Sequence, residues 1–465
     1  MFNKQVYLNR RNSLKKMVKS GIILLPGNVE APYNYPANTY HFKQDSNFLY
    51  FIGLNIPALI GIMDCESGED YLFGNDFDLD DIIWMGPQPA IKELALASGI
   101  EKTGNTKDFN NFIREAIEKG RKIHFTPPYR GETKIQITDL FNIKHDEIKQ
   151  YVSLELIKAI VELRSVKEDI EIKEIEKALE TAWLMHTTSM KMAKPGTIEQ
   201  EIVGRIEGIA ISGGGPVSFP IILSINGETL HNHNHNNILT EGKLMVTDAG
   251  CESSLGYCSD ITRTVPVGGK FSQQQKEIYE IVLKANQLTI ELCKPGVFYR
   301  DVHLMVAKSI ANGLKNIGLM KGDIDEAVAK GAHAMFFPHG LGHMLGLDVH
   351  DMESLGENFV GYDNEIKRSE QFGLAFLRLG KRLQKGFVIT DEPGIYFIPA
   401  LIDKWKKENR HADFINYEKL EKYRNFGGIR IEDNLLITDN GCRLLGKPIP
   451  KTIIEVEETM KNINS

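Results

Sequence analysis

Three histidines stand close together in the run F-P-H-G-L-G-H-M-L-G-L-D-V-H-D from Phe337 to Asp351: His339, His343 and His350. Gly340, Gly342 and Gly346 lie between them, and glycine lets a backbone pass close to a buried ligand. Any one of these imidazoles alone reads as a side chain satisfied in a core or a loop. Four carboxylates elsewhere in the C-terminal half change that reading. Asp248 occurs in T-D-A-G, Asp260 in S-D-I-T-R-T, Glu392 in D-E-P-G-I-Y and Glu432 in G-I-R-I-E-D, each at a strand end or turn. A single acid there would be a cap or a surface charge, but Asp248 follows an apolar strand, where an acid is costly unless coordinated or paired. Four carboxylates and one imidazole without a thiolate suit two hard or borderline divalent ions such as manganese better than a structural zinc. Two such ions a few ångströms apart activate water and polarise a carbonyl, which is the chemistry of hydrolysis.

The elements that must position these residues are visible as periodicity. Strands are expected at Ile221 to Ser224, Lys243 to Ala249 and Ile261 to Val267, so that Asp248 lies within a strand and Asp260 just before one. Ser165-Val-Lys-Glu168 reads as a capping box opening a long helix, in which Ile172, Ile175, Leu179 and Ala182 recur at helical spacing to about Met192. Further helices are expected over Ile198 to Ile211, Gln273 to Leu292 and Val302 to Ile317. A K-P-G stop at 194 to 196 recurs at 294 to 296, which hints at duplication of a helix-plus-strand unit. The glycines from Gly213 to Gly215 lack the spacing of a phosphate loop and read as a turn. Earlier in the chain, a basic helix over Asn12 to Ser20 leads into a strand over Gly21 to Leu25. Strands at Ala58 to Met63, Asp70 to Phe73 and His124 to Thr126 and a helix over Lys107 to Lys119 follow. The aromatic stretch from Thr39 to Leu54 reads as core. No catalytic constellation precedes residue 150, so this half is expected to shape or oligomerise. The boundary falls between about 150 and 165, giving domains over 1–155 and 156–465.

Length implies two domains, and the alternation of helices and strands gives them a mixed α/β class. A chain of 465 residues exceeds the roughly 250 to 300 at which single cores stop growing. The net charge of −7 is mild for that length and argues against nucleic acid as the main partner. Five scattered cysteines without a C-x-x-C point to neither a disulfide framework nor a zinc ribbon. The longest apolar run near the N-terminus, Ile22 to Leu25, is too short for a signal sequence or a membrane span. A cytoplasmic protein is expected.

In their contexts and in this order, Asp248, Asp260, His343, Glu392 and Glu432 resemble the five-ligand signature of the pita-bread metallopeptidases, which include aminopeptidase P, prolidase and methionine aminopeptidase. The match spans about residues 160 to 455. The resemblance implies a C-terminal pita-bread domain, two pseudo-symmetric α/β halves around a dinuclear metal site on a curved antiparallel sheet, behind the smaller α/β domain of aminopeptidase P and prolidase. The stretch T-Y-H-F-K-Q-D-S-N-F-L-Y-F-I-G-L is the recognisable part of that smaller domain. By the same resemblance Asp248 binds one ion, His343 and Glu392 mainly complete the other, and Asp260 and Glu432 bridge the pair. Glu392 is then the general base. His350 and His339 contact the scissile carbonyl or shuttle protons, His231 stands near the leaving group, and Arg430 and Tyr396 support the ligands or face substrate. His233 and His235 read as a polar loop beside the site. Two features depart from the family: the interval from Asp248 to Asp260 is one residue long, and Asp391 replaces an apolar residue before Glu392. The first calls for a bulge or longer turn in Glu252 to Tyr257. The second calls for a carboxylate that points away from the metals or is paired.

A two-domain member implies substrates with proline second, whose tertiary amide lacks the N–H that ordinary peptidases recognise. Arg378, fourteen residues before Glu392 in the insertion Met352 to Gly386, resembles the prolidase arginine that grips a dipeptide carboxylate, a task suited to a planar guanidinium. The second insertion, Leu401 to Gly427, also resembles prolidases. An Xaa-Pro dipeptidase is therefore expected, with aminopeptidase P acting on longer peptides as the alternative and a non-catalytic pita-bread binding module as a distant third. Short proline-containing peptides and a second copy of the chain are the expected partners.

Overall fold

The computed structural model describes residues 1–461, which form two compact units. The first comprises Met1–Arg164 with the short segment Glu353–Phe359, and the second comprises Ser165–Met352 and the chain from Val360 onward. The division falls nine residues later than expected from sequence, because the helix Leu154–Ser165 runs almost to its end within the first unit.

In the first unit the apolar run Ile22–Pro26 becomes strand β1. It joins β2 (Ile60–Asp64), β3 (Asp70–Phe73), β4 (Lys102–Gly104) and β5 (Ile123–His124) in a sheet of order β4-β3-β2-β1-β5. The basic helix starts earlier than its charge pattern suggests, at Lys4, because the Asn3 side chain accepts the Gln5 N–H and caps it; it ends at Val18. Three of its cations, Arg10, Arg11 and Lys15, are buried. Arg11 is fully buried, donating from Nε to Asp70 Oδ2 at 2.7 Å and from Nη1 to the Phe51 carbonyl at 2.9 Å. The aromatic stretch supplies Phe48 and Phe51 to the core from the short helix Ser46–Phe51, while Tyr40 is exposed.

The second unit contains three small antiparallel sheets. β6 (Ile222–Ser224), β7 (Leu244–Ala249) and β8 (Ile261–Pro266) form one. β9 (Val388–Asp391), β12 (Asp433–Ile437) and β13 (Cys442–Leu444) form another, with β12 central, and β10 (Gly394–Tyr396) pairs with β11 (Gly428–Arg430). The Glu432 N–H donates to the Thr262 carbonyl at 3.0 Å, tying β8 to the segment between β11 and β12. Each half opens with a helix pair, Asp169–Met192 with Glu199–Ser212 and Tyr299–Asn316 with Gln273–Leu292. The repeated K-P-G stops have Gly196 and Gly296 at φ +90° and +86°, so the echo marks equivalent points of a duplicated plan. The capping box sits one turn later than expected: Glu171 accepts the Glu168 N–H at 3.0 Å, since Ser165 still belongs to the preceding helix.

Helix Asp169–Met192 backs β7, with His186 Nε2 2.9 Å from the Ala249 carbonyl and Ser189 Oγ 2.8 Å from Thr247 Oγ1. Behind β8, Arg263 is buried and donates to Asp433 Oδ1 at 2.7 Å and to the carbonyls of Glu432, Ile449 and Pro450. Removing one partner of a buried ion pair strands the other, so Arg263→Met is expected to lower unfolding free energy by about 3 to 5 kcal/mol. Urea denaturation of the metal-free protein reads this directly.

Candidate active site

Side chains alternate between the two faces of a strand, and that rule sorts the acids of the second unit. On β7, Thr247 faces the helix and Asp248 the opposite side. Asp260, directly before β8, shares the front with Thr262, and Arg263 points back. The doubled acids D-E at 391–392 and E-D at 432–433 are split in the same way. Glu392 and Glu432 face a cavity, whereas Asp391 and Asp433, opposite one another in the β9–β12 register, face helix Gln273–Leu292. There the Asn286 amide donates to Asp391 Oδ2 at 2.9 Å and Asp433 Oδ2 at 3.2 Å. Asp391 thus points away from the front acids and is hydrogen-bonded. Burial holds it well above the ordinary carboxylate range. Burial opposes ionisation of Asp433 as well, yet Arg263 and Lys451 hold it well below that range.

The front face collects Asp248, Asp260, His343, Glu392 and Glu432. Ligand atoms of Asp260, His343 and Glu432 lie within 4.8 Å of one another. His343 Nε2 is 3.3 Å from Asp260 Oδ2 and 3.7 Å from Glu392 Oε1. Its Nδ1 lies 2.9 Å from the Met344 carbonyl, an acceptor, so Nδ1 carries the proton and Nε2 turns its lone pair toward the carboxylates. Asp248 Oδ1 is buried without a hydrogen-bond partner among the described residues. These are the features of a cation site: carboxylate oxygens, one of them unsatisfied, and one imidazole lone pair converging in a buried pocket. Burial pushes Asp260 and Glu432 well above the usual carboxylate range, and neighbouring acids add to it, Asp248 for Asp260 and Asp260 for Glu432. Glu392 is raised by burial to about 7.

The hairpin between Asp248 and Asp260 contains no bulge. Ala249 pairs with Ile261 and Glu252 with Cys258 in unbroken register. The turn is closed by Ser253 N–H to the Tyr257 carbonyl at 2.8 Å, with Gly256 at φ +83°.

Around the acids lies a cavity of about 780 Å³. His231, His339, His350, Arg378 and Arg430 line it with the front carboxylates. His350 meets His343 edge-on at 4.4 Å between ring centroids. Arg430 donates from Nη2 to Asp248 Oδ2 at 2.6 Å, from Nη1 to Tyr396 Oη at 2.8 Å and from Nε to Thr262 Oγ1 at 3.0 Å. Tyr396 Oη in turn donates to His339 Nε2 at 2.9 Å, since His339 Nδ1 is committed to the Gly340 carbonyl. Burial, then Arg430, lowers the His339 pKa to about 3, which keeps that imidazole neutral. Tyr396 is fully buried and does not face substrate space, contrary to one expectation from sequence: its hydroxyl is spent joining Arg430 to His339. Of the H-N-H-N-H run, His231 and His233 line the cavity, whereas His235 bonds the Leu223 carbonyl at 3.0 Å.

Sequence reasoning missed three supporting side chains. Thr262 Oγ1 donates to Glu432 Oε2 at 2.7 Å. Thr390 Oγ1 accepts the His343 N–H at 3.0 Å. Asn434 grips the Asp260 backbone, accepting its N–H at 3.1 Å and donating to its carbonyl at 2.6 Å. All three stand two residues from a ligand candidate on the same strand face, a period-two signal that was available. The apolar wall of Phe219, Phe372, Phe376, Ile398 and Leu401, with Lys404 beside it, comes from separate loops and had no local signal.

A buried set of acids and one imidazole on an antiparallel sheet, backed by duplicated helix pairs, defines a metal-dependent hydrolase. The chain belongs to metallopeptidase family M24, which it matches over residues 173–439, and residues 7–124 match the aminopeptidase P N-terminal domain. It is therefore a metallopeptidase that binds divalent metal. A probable Xaa-Pro aminopeptidase of Fusarium vanettenii is 35% identical to it, over 90% of this chain and 88% of that protein. The Xaa-Pro dipeptidase of Homo sapiens is 30% identical, over 97% and 92%. Among solved structures, the aminopeptidase PepP of Pseudomonas aeruginosa superimposes with a TM-score of 0.81 at 28% identity, covering 99% of both chains. A zinc-substituted Escherichia coli aminopeptidase P in complex with product gives 0.81 at 27% identity, covering 100% of this chain and 99% of the other. No helix among the described residues is long and apolar enough to cross a membrane.

Proposed function

We propose that this chain hydrolyses the bond between an N-terminal residue and a following proline, using two divalent ions, manganese by preference, and that its main substrate is the Xaa-Pro dipeptide. The metallopeptidase family and the relatives described as Xaa-Pro peptidases support the reaction class. Asp248, Asp260, His343, Glu392 and Glu432 would hold the ions, with Asp260 and Glu432 shared between them. Bound there, the metals supply Lewis acidity toward a carbonyl and acidify water. Glu392, raised by burial to about 7, is matched to proton transfer near neutral pH and serves as general base. Neutral His339, together with His350, presents an imidazole to the scissile region, with His231 near the leaving group. Arg430 fixes Asp248 and, through Tyr396, the ring of His339. A reducing cytoplasm and a homodimer complete the proposal; the five free cysteines support the former.

The observation that carries the dipeptide reading is Arg378 in the cavity wall with His231, His350 and the front carboxylates. A guanidinium there can take a dipeptide carboxylate in bidentate fashion. Cavity size favours the second reading: about 780 Å³ falls in the upper part of the ~300 to 1,000 Å³ range of small-ligand sites, leaving room for longer peptides. The test compares an Xaa-Pro dipeptide with the same sequence extended by several residues. Arg378→Ala is expected to cut kcat/KM for the dipeptide by about 100-fold, the cost of a lost charge-assisted contact of roughly 3 kcal/mol, and to change the extended peptide by less than about threefold. Equal or better cleavage of the extended peptide by the parent protein would make it an aminopeptidase P.

A further inference from the structure

Lys167, in the S-V-K-E run that reads as a helix cap in sequence, takes no part in the cap. Its Nζ lies 2.8 Å from Asp351 Oδ2, with both side chains only 1% exposed. Asp351 is the residue after His350. It closes the His350 segment on itself, its backbone N–H reaching the Met344 carbonyl at 2.9 Å and its Oδ1 accepting the Asp348 N–H at 3.3 Å. Gly346 lies against the same carboxylate so closely that a Cβ there would fall 2.5 Å from Asp351 Oδ2. The segment is also pinned to the stretches that lead into Glu392 and Asp260, by Leu345 N–H to the Val388 carbonyl at 3.0 Å and Cys258 N–H to the Gly346 carbonyl at 2.8 Å. Lys167 is anchored in turn, its backbone N–H donating to the Gly386 carbonyl at 2.8 Å, and Gly386 N–H to the Ile437 carbonyl at 2.9 Å.

We infer that the buried Lys167–Asp351 pair is a positioning device for His350, holding its ring edge-on to His343 and aimed into the cavity. A buried ion pair is weak evidence of stabilisation, because desolvation offsets much of the Coulomb attraction, but it fixes geometry wherever its partners are themselves fixed. Here one partner is locked to the end of β12 through Gly386, and the other is adjacent to the imidazole. The inference rests on reading His350 as a residue that faces substrate.

The experiment is a double-mutant cycle between the pair and His350, in the full manganese-loaded chain with an Xaa-Pro dipeptide such as Ala-Pro as probe. Lys167→Met alone removes one member of a buried ion pair and is expected to unfold easily, so the pair is replaced as a whole by Lys167→Met with Asp351→Leu, which removes both charges. Lys167→Met with Asp351→Asn, which keeps the shape at position 351 and also removes both charges, carries the same cycle if the apolar pair does not fold. The expected result is a thermal midpoint and metal content close to the parent, KM within about threefold, and kcat lower by about 10- to 100-fold, the range for groups that orient site residues from behind. In a His350→Asn background, the same replacement is expected to lower kcat by less than a further twofold, because the two changes remove one function. Retention of kcat within twofold, or a loss that multiplies in full onto His350→Asn, overturns the positioning role. If His350→Asn itself leaves kcat unchanged, the reading of His350 falls, and the role of the pair falls with it.

Discussion

Asp260→Asn is expected to lower kcat/KM for an Xaa-Pro dipeptide by about four orders of magnitude or more, the scale on which one member of a catalytic unit is lost, and to take bound metal from two ions per chain to one or none. The expectation follows from position. Asp260 is buried, its Oδ2 is 3.3 Å from His343 Nε2, and it belongs to the convergent trio with Glu432. An amide offers a metal one neutral oxygen where the carboxylate offered two charged ones. Asp391→Asn is the matched control: it changes an acid adjacent in sequence to a ligand candidate, but on the back of the sheet, and is expected to keep kcat/KM within about threefold. Metal content by mass spectrometry and initial rates for the two variants separate the faces. A metal-replete, active Asp260→Asn enzyme would remove the proposed ligand set.

Metal-free protein is expected to lose stability as pH rises from about 4.5 to 7.5, and metal is expected to restore it. Asp260, Glu392 and Glu432 all have folded-state pKa values above their ordinary ones, chiefly through burial. Such groups bind more protons folded than unfolded, so their contribution is fully present below the unfolded pKa and is lost as pH climbs through the folded value. For Glu392, raised from 4.5 to about 7, the loss is at most roughly 3 kcal/mol across that window. Divalent ions that neutralise the cluster reverse the trend and add about 2.7 kcal/mol when present at a hundred times their Kd. The gap in thermal midpoint between manganese-loaded and metal-free protein should therefore widen from pH 5 to pH 8. A gap that narrows would show that the cluster does not hold its protons as described.

Much of this was written locally in the chain. The motifs around Asp248, Asp260, His343, Glu392 and Glu432 could be read because each acid lies within or beside a strand, where it has no ordinary role, and their order carried the family. The K-P-G echo gave the duplicated plan. What stayed hidden depended on contacts distant in sequence. Tyr396 could be placed near the site but not behind it, because only the pairing of β10 with β11 brings its hydroxyl to Arg430. The fate of Asp391 needed Asn286, 105 positions away. Phe372, Phe376, Leu401 and Lys404 meet across one cavity from two insertions whose mutual placement no periodicity encodes. The early start of the first helix was a local miss, since Asn3 is an ordinary N-cap signal.

The division of the front acids between the two duplicated halves also sets an order in time. Asp248 and Asp260 are synthesised with the first half, Glu392 and Glu432 with the second, and 184 positions separate the earliest from the last. At translation rates of about 5 to 20 residues per second, the nascent chain spends roughly 9 to 37 seconds with an incomplete set. During that interval Arg430, which donates to Asp248, and Asn434, which grips the Asp260 backbone, have not been made. A front face with all of its acids and their supporting side chains therefore exists only once the second half of the duplicated plan has been made.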